Sequence, residues 1–139
     1  MTMLHDLNYN GNVLFSVQEL ACPHCGRGKL APGFATSLLE YRIRLDETMI
    51  LNSACRCKEY NDSIEGAHPR SLHVFDYPYH PTEGCCAVDV RTWGRPESYR
   101  DRLIDLAREL QWSIGFGSTF LHLDTRVDYT ALPRAEFDY

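Results

Sequence analysis

The chain reads as a small single-domain α+β fold, with packed helices on an antiparallel sheet, and three observations predict it. Apolar residues recur at helical spacing in two stretches. They alternate with polar ones in two others. A Gly-Ser turn joins the last two short apolar runs into a hairpin pattern. The resulting order of helix, strand, strand, helix and hairpin is that of an α+β domain rather than a βαβ repeat.

Each element follows from local sequence. Between Pro32 and Leu45, Phe34, Leu38, Tyr41 and Leu45 form one apolar stripe, which predicts a helix packed on the core. Thr48 to Ala54 is short and partly apolar, a strand ending in small residues where a site can open. Cys57 to Arg70 is polar, with Gly66 and Pro69 as breakers, and reads as one short helix and a loop. Val74 to Gly84 holds aromatics, prolines and a histidine with neither period, and reads as an irregular excursion. Cys86, Val88 and Val90 alternate with Ala87, Asp89 and Arg91, which sets Asp89 on the face opposite the valines. A second helix starts near Pro96 and aligns Tyr99, Leu103, Leu106 and Leu110. Ser113 to Phe116, the Gly117-Ser118 turn and Thr119 to Thr125 form the hairpin. Its second strand turns Phe120, His122 and Asp124 to one face and Leu121 and Leu123 to the other.

Composition limits the function classes. The 139 residues are enough for one domain with a real core, expected here over 1–139 with a Cys-rich segment over about 1–31. A net charge of -5 and no Lys/Arg cluster argue against a nucleic-acid partner. No apolar run is long enough to span a bilayer, and the opening MTMLHDLNYNGNVLF lacks the basic-then-apolar pattern of a secretory signal, so synthesis in the cytoplasm is expected. Oligomeric state leaves no mark in the sequence. Six cysteines in a reducing compartment point to thiols or metal ligands rather than disulfides.

Two predicted strands each carry a metal-capable side chain among apolar neighbours: Asp89 in Ala87-Val88-Asp89-Val90 and His122 in Leu121-His122-Leu123-Asp124. An ionisable group in such a setting must be paired, hydrogen-bonded or metal-bound. Taken singly, each also fits a hydrogen-bonded polar residue at the edge of a core.

The wider pattern runs from Asn52-Ser53-Ala54-Cys55-Arg56-Cys57 and Asn61, through Gly66-Ala67 and Ser71-Leu72-His73, to Ala87-Val88-Asp89-Val90 and Phe120-Leu121-His122-Leu123-Asp124. It resembles the M15 family of zinc peptidases, the D-Ala-D-Ala carboxypeptidases and cell-wall endopeptidases of bacteria and phages, over residues 34–126. That family shows a Ser-Gly-Tyr-Arg-like turn, a Ser-x-His, an Asp-containing strand and a final His-x-Asp or His-x-His.

The resemblance implies a zinc ion held by His73, Asp89 and His122, a donor set of the catalytic type with a fourth position left to water. It implies Arg56 as the group that binds a substrate carboxylate or the developing oxyanion, Ser71 as a supporting hydrogen-bonding group, and a peptidoglycan peptide as substrate. The chain would then act on the cell wall after release or as part of a phage particle.

Two departures from the family stand out. Val74 to Gly84 lengthens the path from His73 to Asp89, and its Phe75, Tyr77, Tyr79 and His80 suggest a lid or a solvated loop. Thr119 and Phe120 occupy the place of the general base. Asp124 is the candidate in their stead, as base or as a group orienting a ligand, with Glu83, His80 and His68 as further candidates. An alternative is therefore a zinc-binding structural domain of a phage particle without turnover.

Cys22-Pro23-His24-Cys25-Gly26 resembles half of a zinc ribbon, with Cys55 and Cys57 as the nearest second pair and Cys85 and Cys86 as a poorer one. The same motif looks like a thioredoxin-type redox pair. Gly26, Gly28 and Pro32 are poor material for the helix that chemistry needs, and plain thiols are the third reading.

Overall fold

A computed structural model describes residues 4–76 and 84–139. The chain opens with a hairpin the periodicity did not predict, β1 (Leu7–Tyr9) and β2 (Asn12–Phe15), closed through Asn10 and Gly11 at positive φ. A short α1 (Val17–Leu20) follows, its Glu19 N–H capped by the Ser16 hydroxyl.

The first expected helix is α2 (Phe34–Leu45), which buries the predicted stripe of Phe34, Leu38, Tyr41 and Leu45 and stops where Asp46 turns left-handed. β3 (Leu51–Ser53), α3 (Lys58–Ser63) and β4 (Ala87–Arg91) lie within the segments expected for them. The second long helix, α4 (Glu97–Glu109), begins directly after Pro96 and buries Tyr99, Leu103, Leu106 and Ala107. β5 (Ser113–Phe116) and β6 (Phe120–Asp124) form the expected hairpin. Two further elements follow, α5 (Arg126–Tyr129) and β7 (Glu136–Asp138).

The main sheet has the order β3-β4-β6-β5-β7. It is antiparallel as expected except at its last edge, where β7 runs parallel to β5. This corrects a purely antiparallel reading. After β6 the chain turns through α5 and crosses back over the sheet end, so it re-enters beside β5 in the same direction.

Alternation then sorts the two faces. Val88, Val90, Leu121, Leu123 and Ile114 join Phe34, Leu38, Tyr41 and Leu103 in the core. Trp112 wedges between Phe34 and Tyr41, with ring centroids 5.7 and 5.0 Å away. On the opposite face one row of partners crosses all five strands: Ser53, Asp89, His122, Gly115 and Phe137. α2 and α4 thus cover one side of the sheet, and the other side carries polar chemistry. No helix among the described residues is long and apolar enough to cross a membrane.

Candidate metal centre

Asp89 and His122 are direct cross-strand partners on β4 and β6, so sheet register alone brings them together. His73 comes from the loop after α3, held there by backbone bonds from Arg56 N–H to the His73 carbonyl (2.8 Å) and from Phe75 N–H to the Arg56 carbonyl (3.1 Å). The three side chains converge. His73 Nε2 lies 3.1 Å from Asp89 Oδ1 and 3.3 Å from His122 Nδ1, and His122 Nδ1 lies 3.0 Å from the same Asp89 oxygen. Ligands about 2.0–2.1 Å from a tetrahedral zinc are separated by about 3.3 Å, so this triangle has the dimensions of three corners of such a site. All three residues are buried, and together they form a candidate metal-binding group.

The surroundings fix which atom of each ligand faces the centre. His73 Nδ1 is 2.7 Å from the Ala54 carbonyl, which accepts its proton and leaves the Nε2 lone pair for the metal. His122 is set the other way round: Nε2 is 2.7 Å from Asp124 Oδ2, leaving Nδ1 as the ligand atom. A carboxylate or carbonyl behind each histidine is the usual outer support of a metal ligand. Asp89 keeps Oδ1 for the centre because its other oxygen accepts from Arg56 Nη2 at 3.2 Å.

The same contacts set the charge states of the metal-free site. Burial outweighs the neighbouring Asp89 and holds His73 below the ordinary imidazole value. Burial would also lower His122, but hydrogen bonds to Asp124 and Asp89 overcome it and hold the ring at about 8. Burial would raise both carboxyls, yet the two histidines pull Asp89 far down, and His122 with Arg126 does the same for Asp124.

Of the residues singled out from sequence, His73, Asp89 and His122 meet at one point and Arg56 stands beside them. Its Nε donates to Ser53 Oγ (3.0 Å), Nη1 to Asn61 Oδ1 (3.4 Å) and Nη2 to Asp89. Ser71 Oγ accepts from the His73 N–H at 3.3 Å, tightening the turn that presents the imidazole. Asp124 lies behind His122. Its Oδ1 accepts from Arg126 N–H and Nε, both at 3.0 Å, and its Oδ2 from Arg126 Nη2 and His122, both at 2.7 Å. Those four bonds fill the four lone-pair directions of a carboxylate, an arrangement that suits orientation of a ligand rather than proton abstraction. Tyr77, Tyr79, His80 and Glu83 lie outside the described residues, and Phe75 is half-buried beside Arg56.

The triangle opens into a cleft of about 800 Å³. Arg56, Arg70 and Arg126 line it, against the carboxylates Glu65 and Asp89. The loop after α3 adds His68, and the far wall is aromatic, made by Phe120, Phe137 and Tyr139. Phe137 and Tyr139 pack their rings 5.7 and 6.2 Å from that of His122. They do so across Gly115, where a Cβ would stand 2.6 Å from Phe137 and 2.7 Å from Tyr139.

Sequence reasoning missed Arg126, Phe137, Tyr139 and Glu65. The alternation of Phe137 and Tyr139 in Ala-Glu-Phe-Asp-Tyr was the available sign of a last strand with one aromatic face.

Away from this centre, Cys22, Cys25 and Cys57 form a second candidate metal-binding group. The expected pairing with both Cys55 and Cys57 is corrected in part. Only Cys57 joins, because Cys55 turns its thiol to the Lys29 carbonyl, 3.7 Å away, and to Cys85. Comparison with family models, curated proteins and solved structures finds no match for this chain.

Proposed function

We propose that the chain is a zinc peptidase of the M15 type acting on a peptidoglycan peptide. The observation that carries this reading is the buried His73–Asp89–His122 triangle, with an outer hydrogen-bond partner behind each ligand, at the floor of an arginine-lined cleft. Zinc bound there supplies Lewis acidity and an acidified water. The chain's own residues do the remaining work. Ala54 and Asp124 hold the imidazoles in the ligating tautomers, and Arg56 keeps Asp89 monodentate.

Three bonds occupy one N–H on each nitrogen of Arg56, leaving two of about five guanidinium donors to grip a peptide carboxylate or a developing oxyanion. The two donors left on Arg56, on the cleft wall beside the triangle, favour an anionic peptide terminus. Phe120, Phe137 and Tyr139 offer an apolar wall on one side for the non-polar part of a peptide. Proton transfer falls to Glu65 or His68 on the loop after α3, in place of Asp124.

A second reading, a zinc-holding binding or structural domain of a phage particle, draws on one feature: the full engagement of Asp124 removes the base expected closest to the centre. Release of free amino groups from purified peptidoglycan separates the two. Zinc-dependent release that disappears in His73→Ala and Asp89→Ala supports the peptidase. Metal binding without release at any metal concentration supports the binding domain.

A further inference from the structure

We propose that Cys22, Cys25 and Cys57 hold a second metal ion, a structural zinc. The three sulfurs all lie within 4.8 Å of one another, a bound that includes the separation of about 3.8 Å for thiolates bound 2.3 Å from zinc. His24 Nδ1 is 3.6 Å from Cys57 Sγ and its ring stacks on Tyr60, but it does not come within 4.8 Å of all three sulfurs and stands outside the group.

The backbone is folded as a metal-gripping turn needs. Gly26 N–H bonds the Cys22 carbonyl (2.8 Å), Cys22 N–H bonds the Arg27 carbonyl (2.8 Å), and Gly26 takes the positive φ of 72° that closes the loop. Two backbone donors point at sulfur: Cys57 N–H at Cys22 Sγ (3.3 Å) and Tyr60 N–H at Cys57 Sγ (3.4 Å). A thiol sulfur is a weak acceptor and a thiolate a strong one, and thiolates clustered this tightly need a cation between them. The redox alternative fails on geometry, because Cys25 leads into the Gly26 turn and not into a helix.

The consequence reaches the first centre. Cys57 follows Arg56, and the Ala54 carbonyl that accepts from His73 lies three residues earlier. A metal at the cysteines would clamp this segment to the N-terminal loop, and so hold two outer supports of the catalytic triangle in place.

Metal counting and cobalt(II) spectra on the full chain, purified with a reductant, test the proposal. The expected result is two ions per chain and a sulfur-to-cobalt charge-transfer band in the near ultraviolet. His122→Ala should lose one ion and keep the band. Cys25→Ser, at the least buried of the three thiols, should lose the band and keep one ion, while Cys25→His should restore the second ion with a weaker band. Circular dichroism of each variant checks that it is folded.

Wild-type protein with one ion and no thiolate band would overturn the proposal whatever the first centre does. So would a disulfide mapped to two of Cys22, Cys25 and Cys57 in protein purified without reductant.

Discussion

Asp124→Asn isolates the support behind one metal ligand with almost no change in shape. Asp124 is fully buried and accepts two hydrogen bonds on each oxygen. An amide has one acceptor and one donor end. With its oxygen toward His122 Nε2, its NH2 group meets the Arg126 N–H and Nε–H; turned over, it meets His122 Nε2–H and Arg126 Nη2.

The first orientation replaces a charge-assisted bond to His122 by a neutral one, a loss of about 1–2 kcal/mol. The second favours the tautomer with the proton on Nδ1, the atom that faces the metal. Either way zinc affinity at the first centre should fall about 10- to 100-fold. Competition against a chelator of known affinity measures this, with a thermal melt to show that the variant is folded. A folded Asp124→Asn protein with wild-type zinc affinity would refute the claim that this carboxylate orients His122.

Three further outcomes follow from geometry. His122 titrates near 8 in the metal-free protein, above its ordinary 6.5, so its proton stabilises the fold below about 6.5 and that contribution is lost as pH rises through about 8. Zinc must displace that proton; its affinity should therefore rise with pH up to about 8, and calorimetry at pH 7 in two buffers of different ionisation enthalpy should show proton release, a buffer-independent heat arguing against it. Gly84→Ala should destabilise by about 2 kcal/mol or more in urea denaturation, since φ is 145° and the new Cβ would stand 2.7 Å from the backbone of Leu30 and Ala31; a loss under about 0.5 kcal/mol would contradict the packing. Leu103→Ala, on the buried stripe of α4 against the sheet, should cost about 2–5 kcal/mol by the same measurement, and a near-neutral change would mean that α4 does not seal the core.

The parts of the fold legible in sequence are those where period and burial agree. Phe34, Leu38, Tyr41 and Leu45 mark α2 because one face alone is apolar, and the alternation around Asp89 and His122 marks β4 and β6. Their register follows from the strands, and with it the meeting of two ligands. The third ligand, His73, lies outside any regular element, so only motif resemblance pointed to it.

What stayed hidden depends on contacts distant in sequence. β1 and β2 have only three and four residues, too few for a period to declare itself. Cys55 and Cys57 look equivalent on paper. In the fold, Arg56 bridges to Val74 and Cys57 then caps α3, so the two thiols part. Asp124 could not be assigned between base and support until Arg126 was seen to claim both of its oxygens.

The insertion of β6 between β4 and β5 has a temporal side. Asp89 and His122 are 33 positions apart and His73 and His122 are 49 apart, so no early local structure brings the three together. Pairing of β6 with β4 must wait until the intervening α4 and β5 have folded back. We therefore expect a bound ion to stabilise contacts formed after the folding barrier, slowing escape from the native state while leaving the rate of reaching it nearly unchanged. A folding arm of the chevron that accelerates with zinc would show the ligands gathered earlier. In that light an ion bound at the first centre would set the lifetime of the sheet, with three distant segments released only when it leaves.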